Sequence, residues 1–234
     1  MTKLRVDVWS DIACPWCYVG KRRLEAALER FPNRDEVDVV WHAFELDPGA
    51  PRERDTSVSY VERLARKYGR STAQAQQMID RTAESARADG LDFRFDRIRS
   101  GSTFDAHRLV QFALERGKQG EMEERLFAAY FTEGELMSDP GTLSRLAADV
   151  GLSAEEAATA LAGEAHAREV REDEAMASEL GISGVPFYVF GGKYAVSGAQ
   201  PPELFFQALT RAWEETTKVD TAPAEGAVCG PDGC

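Results

Sequence analysis

Hydrophobic and polar positions change their spacing along the first fifty residues. Residues 4–9 alternate apolar and polar side chains, the pattern of a β-strand with one buried face. Apolar side chains then recur at helical spacing, so residues 21–31 are predicted to form a helix. β-branched and aromatic side chains return in residues 37–44 and predict a second strand. This strand–helix–strand order is typical of the start of a parallel α/β sheet.

The middle of the chain, from about residue 57 to residue 180, follows the helical period. Its apolar stripes include Tyr60, Val61, Leu64 and Tyr68, then Phe104, Leu109 and Phe112, then Met122, Leu126, Phe127 and Tyr130. Asp139-Pro140 predicts the start of one helix, and Gly181 predicts the end of a last long helix over residues 164–180. This block is therefore expected to be helical throughout.

Strand patterning returns after the helical block. Residues 186–190 are apolar and aromatic, and Gly191-Gly192 predicts a tight turn into a further strand over 193–196. A final helix is predicted over 201–217. With the helical block removed, the order β-α-β-β-β-α is that of the thioredoxin fold.

The sequence thus predicts an α/β protein, a thioredoxin fold with a large all-helical domain inserted between its βαβ and ββα halves. We expect the first half in residues 1–50, the helical domain in 51–180 and the second half in 181–217. Residues 218–234 are rich in Ala, Gly, Pro and acids, and are predicted to form a flexible tail.

Composition and charge narrow the function classes. The chain has 234 residues and a formal net charge of -12, which argues against binding nucleic acid or an anionic membrane surface. No apolar run has the length of a membrane span, and charged residues near the N-terminus interrupt the apolar segment that a signal peptide needs. We therefore expect a cytoplasmic protein.

The strongest chemical motif is Cys14-Pro15-Trp16-Cys17, which lies between the first strand and the first helix. A thiol at a helix N-terminus faces unpaired N–H groups, which favour the nucleophilic thiolate. We expect Cys14 to be the more exposed nucleophile and Cys17 to be the buried resolving cysteine. Pro15 suits the first helical position, whereas Trp16 brings no charge, which predicts a centre less oxidising than one with a histidine there.

Metal binding and two inert thiols are the alternative interpretations of this motif. Metal sites normally need two such pairs or added histidines, and His42, His107 and His166 show no ligand spacing. We therefore predict no metal site and no bound cofactor beyond the redox-active disulfide. His107 is interpreted as structural.

Val185-Pro186 is the second motif, at the start of the third predicted strand. A proline there is either an ordinary strand-opening residue or a cis-proline that presents the Val185 backbone beside the nucleophile. Its place after a Cys-x-x-Cys motif and before a β-hairpin and helix favours the cis interpretation.

Four segments together resemble the DsbA-like thioredoxin superfamily, close to its FrnE-like branch. They are residues 11–20 with the Cys-Pro-Trp-Cys motif, 44–48 (Phe-Glu-Leu-Asp-Pro), 181–187 and 196–201. The resemblance implies a helical insertion in a thioredoxin fold, a cis bond before Pro186 and thiol–disulfide oxidoreductase activity. It also implies that Val185 pairs with the substrate chain and that partners are protein or peptide thiols and disulfides.

The same superfamily contains glutathione-dependent 2-hydroxychromene-2-carboxylate isomerases and kappa-class glutathione transferases. Those proteins typically place a serine at the position of Cys14, so the two cysteines of this chain favour the oxidoreductase. A glutathione-using enzyme acting on a small aromatic or polyketide-like molecule stays open. Glutathione is the candidate reductant, and a second copy of the chain is a candidate partner.

The tail contains a second cysteine pair, Cys229 and Cys234, separated by Gly-Pro-Asp-Gly. This spacer favours a β-turn that brings the two thiols together. From residue 218 to Cys229 an extended chain reaches roughly 40 Å, enough to approach an active site. We therefore hypothesise a second redox pair that exchanges disulfides with Cys14 and Cys17. FrnE-like proteins with a Cys-x4-Cys tail exist, which supports the hypothesis by analogy. The alternatives are an independent dithiol, or a non-catalytic redox or metal sensor.

Overall fold

The computed structural model describes residues 3–54 and 56–221. The strands are β1 (Leu4–Ser10), β2 (Val37–Ala43), β3 (Phe187–Phe190) and β4 (Tyr194–Ser197). The helices are α1 (Pro15–Glu29), α2 (Tyr60–Tyr68), α3 (Thr72–Ala88), α4 (Phe104–Leu114), α5 (Gln119–Ala128), α6 (Pro140–Asp149), α7 (Ala154–Ala162), α8 (Ala167–Glu179) and α9 (Pro202–Thr221). A 3₁₀ turn precedes β2 at Arg34–Glu36, and a π-helical turn follows α5 at Ala129–Glu133.

The described strands form one mixed sheet in the order β2-β1-β3-β4. β1 and β2 are parallel, as a strand–helix–strand unit requires, while β3 pairs antiparallel with both β1 and β4. Helices α2 to α8 all lie between β2 and β3 in the chain. The predicted fold class, a thioredoxin fold interrupted by a helical insertion, is confirmed.

Three helices differ from the prediction. Helix α1 starts at Pro15, which is the first helical position that the motif favoured but lies six residues before the start of the apolar periodicity at residue 21. Helix α9 spans Pro202–Thr221 instead of 201–217, so it extends into the predicted tail. The predicted helix over 164–180 is shorter, as α8 spans Ala167–Glu179. It begins after His166, whose left-handed backbone (φ 60°) breaks the helical path from α7, a helix that the sequence pattern left unassigned.

Aromatic packing joins the helical insertion to the thioredoxin part. Tyr18 of α1 stacks on Phe127 of α5 with ring centroids 4.8 Å apart, and on Phe93 of the insertion at 5.9 Å. These rings belong to one continuous core that also contains Val6 and Val8 of β1. Burial of each large aromatic ring contributes about 1.5–3 kcal/mol, so the insertion is held by substantial apolar area.

A side chain of the insertion, Gln119, forms hydrogen bonds with the backbone of the edge strand β2. The Gln119 amide oxygen accepts from the Trp41 backbone N–H at 3.0 Å, and its amide nitrogen donates to the Trp41 carbonyl at 2.8 Å. The side chain therefore satisfies backbone groups that would otherwise offer an edge for another strand.

Helix α1 lies close to β3 at Gly20. A Cβ on this residue would overlap the buried Tyr188 hydroxyl and would lie 3.2 Å from Pro186 Cγ. The absence of a side chain at Gly20 therefore lets α1 approach the strand that follows Pro186, which sets the distance between the Cys-Pro-Trp-Cys motif and that strand.

We expect Gly20→Ala to lower the free energy of unfolding by about 1–3 kcal/mol, because the added methyl overpacks this contact. Urea denaturation measures the change. Tyr188→Phe in the same chain should restore part of the loss by removing the overlapping hydroxyl. Gly120→Ala in α5, where a Cβ meets nothing within 4 Å, is the control and should leave stability unchanged or higher. Equal effects of the two alanines would contradict the close approach.

Candidate active site

Cys14 is the N-cap residue of α1. Its backbone is extended (φ -92°, ψ 110°), its N–H donates to the Asp11 carbonyl at 2.9 Å, and its carbonyl accepts from the Cys17 N–H at 3.0 Å. Pro15 supplies the first helical residue, where a missing N–H costs no helical hydrogen bond. Cys14 therefore lies at the positive end of the α1 dipole, a position that favours negative charge on its sulfur.

The Val185–Pro186 bond is cis, as the sequence context predicted. The Cys14 Sγ lies 3.6 Å from the Val185 carbonyl oxygen, to which the thiol donates a weak hydrogen bond. The two sequence motifs thus meet in space, and the backbone of Val185 faces the nucleophile candidate.

Cys14 is the less buried of the two cysteines, as predicted, although protein covers most of its surface too. Cys14 is 4% exposed and Cys17 is fully buried, because the Val185 segment covers the first sulfur and the core covers the second. Trp16 is the exposed residue of the motif, at 41%, and Pro15 is partly buried. Both cysteines are free thiols, considering only the part of the chain that the structure describes.

Cys17 is surrounded by protein on all sides. Burial raises the pKa of its thiol well above the ordinary value, and the neighbouring Cys14 adds to this effect. Contacts from the Asp11 backbone and the Ser10 side chain act in the opposite direction, since both favour a charged sulfur. Cys17 therefore keeps its proton at neutral pH unless a neighbouring group accepts it.

The buried carboxyl group of Glu123 is connected to the Cys17 sulfur through the Ser10 hydroxyl. The Ser10 hydroxyl donates to Glu123 Oε1 at 2.8 Å, and both residues are at most 1% exposed. Burial raises the pKa of Glu123 to about 7, although His107 and Ser10 oppose the shift. The cysteine, the hydroxyl and the carboxyl form a continuous series, in which Glu123 can hold or release a proton near neutral pH.

Asp11 organises the turn that leads into the motif. Its carboxylate accepts from the Ala13 N–H at 3.1 Å and from the Leu46 N–H at 2.7 Å. His107 Nε2 lies 3.5 Å from the same carboxylate and contributes an ionic contact. Burial alone would raise the pKa of Asp11. The contacts with His107 and with the two N–H groups together outweigh burial, so the pKa of Asp11 is lowered.

Sequence reasoning found Cys14, Cys17, Val185 and Pro186 but not Ser10 or Glu123. The only available signal for Glu123 was its position four residues before the predicted core residue Phe127, on the buried face of α5. His107, interpreted as structural, lies beneath the motif in contact with Asp11. Cys229 and Cys234 lie outside the described residues.

Residues 3–54 and 56–221 contain no group of three or more His, Cys, Asp or Glu side chains placed to hold a metal ion. Over the same residues, none of the helices is long and apolar enough to cross a bilayer.

The fold and the motif at the start of α1 define a thioredoxin-fold protein of the two-cysteine type. Residues 5–210 match the family described as the DSBA-like thioredoxin domain, and the chain belongs to this family. The predicted relationship to DsbA-like proteins is therefore confirmed, and it places the chain in an oxidoreductase family.

Three relatives show how close the similarity is. A probable DsbA oxidoreductase from Streptomyces coelicolor is 46% identical, with a TM-score of 0.85 over 99% of this chain and 98% of that chain. The Bacillus subtilis protein YwbO is 28% identical over 209 residues, which are 88% of this chain and 96% of that protein. The cytosolic disulfide reductase DsbM from Pseudomonas aeruginosa, solved with GSH, shares the fold at 18% identity, with a TM-score of 0.61 over 92% and 99% of the two chains.

The raised pKa of Glu123 predicts a pH-dependent stability. The folded state holds this proton more tightly than the unfolded chain, so stability falls as the pH rises from 4.5 to about 7. Glu123→Gln removes this loss. In urea denaturation at several pH values, we expect the free energy of unfolding of the variant, relative to that of the parent, to increase by on the order of 3 kcal/mol across that range.

Glu124→Gln is the matched control on the same helix. Glu124 is paired with Lys21, and its pKa is lowered despite burial, so its charge stabilises the fold above pH 4.5. Its removal should therefore lower stability at neutral pH. Parallel pH profiles for Glu123→Gln and the parent would contradict the raised pKa of Glu123.

Proposed function

We propose that the protein is a thiol–disulfide oxidoreductase that acts on protein or peptide substrates through Cys14 and Cys17. The observation that carries the proposal is the position of the Cys14 sulfur, at the N-terminus of α1 and 3.6 Å from the Val185 carbonyl. A nucleophilic sulfur beside a backbone segment that lies outside the sheet suits attack on a sulfur held in an extended chain. Membership of the DsbA-like family supports the same chemistry.

In the reducing direction, the Cys14 thiolate attacks one sulfur of a substrate disulfide. A Cys14–substrate disulfide forms and the other substrate sulfur leaves as a thiolate, which takes a proton from solvent. Cys17 then attacks Cys14, the Cys14–Cys17 disulfide forms and the second substrate thiol is released. Two electrons pass from the protein to the substrate. In the oxidising direction, a substrate thiolate attacks Cys14 of the disulfide and Cys17 leaves.

Cys17 must lose its proton before it attacks, and Glu123 is the proposed acceptor. The Cys17 thiol gives its proton to Ser10 Oγ while the Ser10 hydroxyl proton passes to Glu123, which lies 2.8 Å away. A carboxyl with a pKa of about 7 is matched to this task at neutral pH. When Cys17 leaves as a thiolate, the same path runs in reverse.

The surface around Cys14 suits an extended polypeptide with apolar side chains. Trp16 is 41% exposed and Leu46, whose N–H is bound by Asp11, is 38% exposed. The Val185 backbone, which precedes β3 and contacts the Cys14 sulfur, is the proposed pairing site for a substrate strand. A protein or peptide thiol is therefore the proposed substrate class, and the cytoplasm the proposed location.

The first test replaces each cysteine in a Cys229→Ser/Cys234→Ser background. We expect Cys14→Ser to reduce the turnover of a fluorogenic peptide disulfide to background, because the attacking sulfur is lost. Cys17→Ser should accumulate the protein–peptide mixed disulfide, because nothing resolves it. Intact-protein mass spectrometry measures the adduct, and the doubly substituted background with both active-site cysteines is the control.

A Cys17→Ser variant that keeps full activity and accumulates no adduct would contradict these roles. That result favours the second candidate, a glutathione-dependent isomerase or transferase, which needs no resolving cysteine. The observation behind this candidate is the fold that the chain shares with a 2-hydroxychromene-2-carboxylate isomerase, at 13% identity and a TM-score of 0.65. Glutathione binding by the Cys17→Ser variant in a calorimetric titration supports this candidate only if the variant also keeps full activity, whereas loss of activity supports the oxidoreductase.

The proton path predicts a slower resolving step in Glu123→Gln. We expect release of the second substrate thiol to slow by about 10²-fold at neutral pH, because Cys17 loses its proton acceptor. Quenched-flow analysis of the mixed disulfide measures this step. Attack by Cys14 on the same peptide serves as the internal control and should change little. Equal slowing of both steps would contradict a role for Glu123 in the second step alone.

A further inference from the structure

His42, the penultimate residue of β2, lies between two carboxylates on the sheet face opposite Val6 and Val8. Its Nδ1 is 2.6 Å from Asp173 Oδ1 of α8, and its Nε2 is 2.8 Å from Asp7 Oδ1 of β1. Because a carboxylate can only accept, both ring nitrogens carry protons and the ring is a buried imidazolium. This cation ties α8 to the sheet.

The groups that face the imidazolium balance its charge. Asp7 is also bound by Arg5 at 2.7 Å, so β1 contributes one anion and one cation. Asp173 Oδ2 accepts from the Ala43 N–H at 2.9 Å and from the Gln111 side chain of α4 at 2.6 Å. Burial lowers the pKa of His42, but hydrogen bonds to Asp173 and Asp7 outweigh it and raise the pKa to about 9.

Trp9 connects this ion network to the chain that follows α8. Its indole ring stacks on His42 with centroids 4.7 Å apart, and its Nε1 donates to the Asp173 carbonyl at 3.2 Å. The ring also packs in a small apolar cluster with Ile182, and Val185 packs against the same cluster. Trp9 therefore contacts the imidazolium as well as the segment 182–185.

We propose that His42 is a positioning residue for the redox site: through Asp173 and Trp9 it holds the segment 182–185 so that the Val185 carbonyl faces the Cys14 sulfur. The proposal rests on the function proposed above. A peptide that pairs with Val185 depends on this placement, whereas a small disulfide reaches Cys14 without pairing. We call His42, Asp7, Asp173 and Trp9 the latch. Loss of the latch therefore weakens the reaction with a peptide disulfide and leaves the reaction with a small disulfide nearly unchanged.

Neutralising His42 breaks the latch because a neutral imidazole has one N–H for two carboxylates. One of the two carboxylates then loses its charge-assisted hydrogen bond to the ring, and the remaining contacts, from Arg5 to Asp7 or from Gln111 to Asp173, do not replace it. The folded pKa is raised above the ordinary 6.5, so the stabilisation is complete below 6.5 and is lost as the pH rises through about 9. Peptide recognition should weaken over the same range.

The test compares two substrates of the Cys229→Ser/Cys234→Ser protein. For His42→Gln we expect KM for a peptide disulfide to rise by about tenfold or more with kcat unchanged, because the Val185 backbone is misplaced. The rate constant of Cys14 with a small aromatic disulfide should change less than about twofold. His166→Gln, at the N-cap of α8 and outside the ion network, is the matched control and should change neither value.

The pH profile distinguishes positioning from general stabilisation. The ratio of the peptide and small-disulfide rate constants cancels any pH dependence that the two reactions share, and in the parent it should fall as the pH passes about 9. Asp7→Asn removes one partner of the imidazolium, so the midpoint should move to lower pH. This variant also tests the proposal if His42→Gln fails to fold, since Asp7 is partly exposed.

The proposal is overturned if His42→Gln and Asp7→Asn keep the parent's KM and pH profile, or if both rate constants fall together. A parent that reduces the small disulfide but no peptide disulfide contradicts the proposed substrate class. A parent that reduces neither contradicts the proposed function itself. These two failures are visible before any latch variant is measured, so they are distinguishable from failure of the positioning role.

Discussion

The contact between the Cys14 sulfur and the Val185 carbonyl joins residues 171 positions apart in the chain. One lies just after β1 and the other just before β3, and these strands pair antiparallel with Trp9 opposite Phe187. Antiparallel pairing places the end of one strand beside the start of its partner. Formation of this strand pair therefore assembles the redox site, and the helices around it hold its two segments in place.

The helical insertion provides the interior of the site as well as its cover. α5 contributes Glu123 beneath the motif, and α4 contributes His107 beside Asp11. Stacking of Tyr18 on Phe127 fixes α5 against α1, which keeps Glu123 at hydrogen-bond distance from Ser10. A thioredoxin fold without the insertion would have neither group, so the chemistry proposed for Cys17 depends on the contact between the two parts.

Buried charges occur on both sides of β1, and each group lies against one of opposite sign. Asp11 faces His107 on one side, while His42 lies between Asp7 and Asp173 on the other. An unpaired charge at these depths is strongly unfavourable, so neither α4 nor α8 can shift without exposing one. Apolar packing determines that the insertion covers the sheet, and the ion pairs specify where each helix lies on it.

The sequence by itself determined the order of strands and helices, the place of the Cys-Pro-Trp-Cys motif and the cis context of Pro186. These features depend on local patterns: hydrophobic period, turn residues and short motifs. Tertiary structure alone decided that Cys14 is covered, that Glu123 binds Ser10 beside Cys17 and that His42 lies between Asp7 and Asp173. The physical reason is that burial and pairing of a polar side chain depend on residues more than thirty positions away, as for Ser10 with Glu123 and His42 with Asp173.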